Sequence, residues 1–145
     1  MSFIEFIQEC HEDCSFNPAS KLSEVEALRN ELGGLPEELK EFLLESDGAR
    51  IGDLVTIFSI HQRKGYTFKA IIDEWSDPEY VEFYPNAQNI LFFADDGMGG
   101  FFGYIKNSDG SFGKIVYWNH ETDSVVPIHE EGLKGFLCTC EEYLE

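Results

Sequence analysis

The hydrophobic pattern changes period at Gly48, and this change restricts the fold more than any other feature of the sequence. Before it, apolar residues recur at helical spacing. Phe3, Ile7, Cys10 and Cys14 mark one face of a helix predicted over 3–13, which Asn17-Pro18 breaks. Ser20 is expected to cap a second helix that carries Leu22, Val25, Leu28 and Leu32 and ends at Gly33-Gly34. The stretch LPEELKEFLLESDG opens a third. Pro36 suits its first position, acids occupy its first turn, and Gly48 suits its C-terminal cap. Leu35, Leu39, Phe42 and Leu43 supply its buried face.

After Gly48 the apolar residues come in short β-branched and aromatic runs, the composition of strands. LVTIFSI at 54–60, NILFFA at 89–94, FFGYIK at 101–106, KIVYWN at 114–119 and SVVPI at 124–128 each read as a strand. Asp109-Gly110 is a hairpin signal, because a type I′ turn needs positive φ at both central residues. NHETD makes a second turn, and HQRKGYT reads as a polar loop. FKAIIDEW at 68–75 reads as a short helix that stops near Asp77-Pro78. The tail returns to helical spacing through Leu133, Phe136, Leu137, Cys140 and Leu144. Helices, then strands, then a helix predict one α+β domain over 1–145. Its largely antiparallel sheet should have about four to six strands, with the N-terminal helices and the C-terminal helix packed on one face.

Charge narrows the function classes. The chain has 145 residues, with 28 Asp and Glu against 10 Lys and Arg, a net charge of −18. Such a surface repels nucleic acid and anionic membranes and attracts a basic partner. It also serves solubility alone. No apolar run approaches the ~18 residues of a membrane span. The N-terminus alternates apolar residues with acids and lacks the basic and apolar regions of a signal peptide, so the cytoplasm is the expected compartment.

FFADDGMGGFFGYI, residues 92–105, looks most like a site. A dinucleotide fingerprint fails because Phe occupies position 102 and a strand follows in place of a helix. A P-loop lacks Gly-Lys-Ser/Thr. A calcium loop begun at Asp95 places Gly97 and Gly99 at ligand positions and Lys106 where a glutamate belongs. Two readings stay open: a loose Mg²⁺ or Ca²⁺ site on Asp95 and Asp96, and a tight turn between strands. Cys138 and Cys140 stand roughly 200° apart around a helix and cannot share one ion. The four cysteines are therefore expected as free thiols, without disulfides in a reducing compartment. His11, His61, His120 and His129 lie in no nucleophile or zinc-protease motif. No catalytic, metal or cofactor site is assigned.

Two stretches read together resemble the SUKH superfamily. LPEELKEFLLESDGA at 35–49 is similar to its leucine-proline helix ending in Asn-Gly or Asp-Gly. ILFFADDGMGGFFGYI at 90–105 and IVYWNHETD at 115–123 are similar to its sheet core. FNPAS and the closing FLCTCEEYL fall in the matching order. Asn119 stands where the family often has Asp, Met98 and Phe101 make the turn more apolar, and 61–84 has no clear family match. The resemblance implies an α+β fold and a non-enzymatic binding role. Bacterial members are mostly immunity proteins that neutralise toxins, often nucleases; fungal members regulate cell-wall glucan synthesis as scaffolds.

The leading expectation is thus a binding module with a protein partner, a basic toxin domain. Asp95, Asp96, Trp118 and His120 are the expected contacts, as an exposed patch near the sheet edge, since aromatics and acids together suit a hot spot. A core position for Trp118 is the plainer alternative. A glucan-synthesis scaffold and a metal-dependent hydrolase using Asp95 and Asp96 are the alternative functions.

Overall fold

The computed structural model describes residues 2–128 and 132–143. The fold is α+β. Its elements are α1 (Phe3–Cys10), β1 (Cys14–Phe16), α2 (Leu22–Leu32), α3 (Glu37–Leu43), β2 (Ala49–Ile51), β3 (Val55–Ile57), α4 (Phe68–Trp75), α5 (Pro78–Phe83), β4 (Ile90–Asp95), β5 (Phe101–Lys106), β6 (Phe112–Asn119), β7 (Ser124–Pro127) and α6 (Gly132–Thr139), with a 3₁₀ turn at Cys140–Tyr143. The strands pair in chain order, and each pair is antiparallel.

Seven strands exceed the expected four to six. The additional strands are short. β1 and β2 have three residues each, too few to show a period of two. Cys14 belongs to β1, because the first helix ends at Cys10. Lys21, not Ser20, holds the cap position of α2. The Ser20 hydroxyl instead donates to the buried Asp47 at 3.1 Å. Pro36 is the cap of α3 and not its first helical residue, and α3 stops at Leu43, well before Gly48.

The helices cover both faces of the sheet, not one. Phe101 and Phe102 are neighbours in β5, so their side chains point to opposite faces. Phe102 packs on Phe136 of α6, with ring centroids 4.8 Å apart, and Phe93 packs on Phe136 at 5.4 Å. On the opposite face Trp75 of α4 meets Phe92 at 5.2 Å and Trp118 at 5.1 Å. Tyr84, just after α5, meets Trp118 at 5.0 Å. The segment 61–84 therefore supplies the second layer. Phe136, Leu137, Leu133 and Cys140 of the closing helical segment are buried as their spacing predicts, while Leu144 lies outside the described residues.

Candidate functional site

The turn from β4 to β5 is built on Asp96. This carboxylate is buried, at 1% exposure. Its Oδ1 accepts the amides of Met98 at 2.7 Å and Gly100 at 3.0 Å, and its Oδ2 accepts the Tyr117 hydroxyl at 2.5 Å. Gly100 is required by close approach, since a Cβ there would run into the Tyr117 hydroxyl and lie 2.6 Å from Asp96 Oδ2. Gly99 adopts φ +96°, a region that suits glycine, and the His120 ring sits where its side chain would go. Both oxygens of Asp96 are thus committed to holding the turn.

Asp95 lies across from Thr56 and Phe101 in the ladder and is also buried. Burial pushes its carboxyl up to about 6, and the charge of Asp96 adds to this. Amides of Gly97 and Thr56 offset part of the shift. Trp118 is 1% exposed, and its indole Nε1 donates to Asp123 at 2.7 Å. Its ring lies among Trp75, Tyr84, Phe92 and Phe101. His120 is half-buried, and its Nδ1 has no hydrogen-bond partner among the described residues.

The expectation of an exposed patch is therefore corrected for three residues. Asp95 and Trp118 are in the interior because the loop carrying Tyr66 and the helix carrying Trp75 close over the Phe101 face, and Asp96 is in the interior because its own turn and Tyr117 enclose it. What reaches solvent at this end of the sheet is Met98, at 50% exposure, and Leu54, at 40%. Leu54 lies against the turn that carries Met98: a Cβ on Gly97 would lie 3.7 Å from Leu54 Cδ2. His120 sits against the same turn through Gly99, and Asp53 and Glu121 are exposed beside them.

The expectation of free thiols fails for two cysteines. Cys10 of α1 and Cys138 of α6 form a disulfide across 128 residues. Cys14 and Cys140 are free. Spacing within a helix says nothing about which distant element lies opposite, so this pairing was not readable. Burial pushes the Cys140 thiol up to about 12, which makes it a core residue and not a nucleophile. His11 Nε2 meets the Leu137 carbonyl at 2.7 Å and His61 pairs with Glu24, while His129 lies outside the described residues.

Asp47 was missed as an organising residue. Fully buried, it accepts the amides of Ile60 at 2.6 Å and His61 at 3.1 Å, and the Arg63 guanidinium at 3.2 Å. It fastens the 61–67 loop to the end of α3. The Asp-Gly at 47–48 was the only signal that could have found it.

An α+β meander sheet layered by helices, whose acidic turn is occupied by its own amides and phenol, defines a domain that offers surfaces to partners. The chain belongs to the SMI1 / KNR4 family (SUKH-1), whose family model matches residues 19–131. Domains of this family are protein-interaction modules, generally non-catalytic. No curated protein matches the chain. No helix among the described residues is long and apolar enough to cross a membrane.

Proposed function

We propose that this chain is an immunity-type binding module that holds and neutralises a basic protein toxin in the cytoplasm. The observation that carries this reading is the net charge of −18 on a member of a protein-interaction family. Acidic side chains pair with Arg and Lys of a basic domain and speed its capture. The contact surface in this reading is the sheet end formed by Leu54, Met98 and His120, with Asp53 and Glu121 as acidic rim. Asp95, Asp96 and Trp118 act from beneath, by fixing the turn and the strand end that carry the exposed groups. The test is to sequence the adjacent genes and co-express the chain with the basic toxin domain this reading expects one of them to encode. Rescue of growth and a co-purifying complex are expected; cells that die equally fast with and without the chain refute the reading.

The second reading is a scaffold in cell-wall glucan synthesis, the other role the resemblance implies. A pull-down that recovers envelope-synthesis proteins and no toxin favours it.

A further inference from the structure

Three of the ten Lys and Arg residues, Arg50, Arg63 and Lys64, line one groove of about 550 Å³. In a chain of net charge −18 this is a local reversal of sign. The groove lies on the face of β1–β3 that helices leave open. Ser15, Arg50 and Thr56 stand opposite one another in the ladder and form its floor. The 61–67 loop overhangs it, since a Cβ on Gly65 would lie 2.5 Å from Thr56 Cγ2. Two cations are braced from behind. Arg50 donates to Asp13 at 2.8 Å and to the Gly52 carbonyl, and Arg63 donates to the buried Asp47 through Nε at 3.3 Å and one terminal nitrogen at 3.2 Å. Lys64 is exposed and has no partner among the described residues.

The groove opens beside a sheet edge. β1 is the first strand of the sheet and, among the described residues, pairs only with β2. Gly52 donates to the Asp13 carbonyl at 2.7 Å, so Ser15 and Arg50 form a hydrogen-bonded pair. The N–H and C=O groups of Cys14 and Phe16 then face away from β2. An exposed strand edge is a template for a further strand, and its neighbouring pockets read alternate side chains.

We propose that this edge and groove bind an extended acidic peptide segment. The segment adds to β1 as a strand and turns its carboxylates over Ser15 toward Arg50, Arg63 and Lys64. This site is independent of the toxin-binding surface at the other loops. The probe is a fluorescein-labelled octapeptide of alternating glutamate and valine, titrated with the full chain at low ionic strength and read by anisotropy. The net charge of the chain repels such a peptide, so binding reports a local site. Saturable binding is expected, at least about fivefold weaker with Lys64→Glu or Arg50→Gln and lost when alternate peptide amides are N-methylated. Absence of saturable binding overturns the proposal, as does binding indifferent to both the substitutions and the N-methylation. Inorganic phosphate that displaces the peptide at equal concentration also overturns it, because a lone anion would then suffice.

Discussion

Tyr117 donates its phenolic hydrogen to Asp96 across a 2.5 Å contact, and this bond joins the β4–β5 turn to the neighbouring strand β6. Burial and the adjacent carboxylate push the phenol above its ordinary range, so it remains a donor at all working pH values. Tyr117→Phe leaves one oxygen of a buried carboxylate without its partner. A loss of about 1–3 kcal/mol is expected in urea unfolding. The amides of Met98 and Gly100 should also exchange faster with solvent.

Asp95 makes stability depend on pH in the unusual direction. Its folded-state carboxyl titrates at about 6 against an ordinary value of 3.8. Below pH 3.8 it is protonated in both states. Between these values the folded state holds more protons than the unfolded one, so this residue's contribution is lost as pH rises through 6. Asp95→Asn removes the buried charge while keeping an acceptor for Gly97 and Thr56. The variant is expected to melt near the wild-type temperature at pH 4 and above it at pH 7.5, with a gap on the order of 2 kcal/mol. A gap that is constant with pH would show that the Asp95 carboxyl titrates alike in the folded and unfolded chain, against the raised value.

Legibility followed the length and pattern of each element. β5 could be read to the residue because FFGYIK is bounded by glycine and asparagine and is long enough for its aromatics to alternate. α4 was visible through its amphipathic spacing. β1 and β2 were not, since three residues show no period and their strand character comes from pairing with each other and with β3. The two-faced layering was hidden because an apolar run as short as β4 marks a strand without naming the helices that cover its two sides, although all six of its residues are buried. The candidate site was legible in its membership and not in its exposure. Acids and aromatics beside glycines suggested a surface, but whether a carboxylate faces water depends on Tyr117, Tyr66 and Trp75, which arrive from elsewhere in the chain.

The Cys10–Cys138 bond ties the first described helix to the last. A cross-link over 128 residues restricts the unfolded chain strongly, and about 3–5 kcal/mol is expected from it. Dithiothreitol should lower the melting temperature of the wild type and leave that of the Cys10→Ser/Cys138→Ser variant unchanged. Protein taken from a reducing cytoplasm with thiols blocked at lysis should show four free cysteines, and two after air oxidation. An unchanged thiol count after oxidation would exclude the bond.

Trp118 anchors the aromatic layer under α4 and α5. Trp118→Phe keeps most of the packing but leaves the Asp123 carboxylate without its indole donor, and a cost of about 1–3 kcal/mol is expected. Trp118→Ala also opens a cavity among Trp75, Tyr84 and Phe92, for about 3–5 kcal/mol. The remaining indole, Trp75, should shift its emission to longer wavelength in the alanine variant, since it loses one of its two nearest rings.

The proposed partner surface gives the sharpest separation of function from folding. Leu54 and Met98 are half-exposed at the sheet end, so polar replacement there should hardly change stability. Met98→Lys and Leu54→Lys each place a positive charge against a basic partner. At least tenfold weaker binding to the toxin domain is expected, with melting temperature unchanged. Wild-type association should slow as salt rises from 50 to 300 mM, on the order of tenfold, because the attraction between the acidic chain and a basic partner is screened. Lys64→Glu, on the groove beside β1, should leave toxin binding intact. If Lys64→Glu abolishes toxin binding and Met98→Lys does not, the toxin occupies the basic groove and the sheet-end surface is the wrong one.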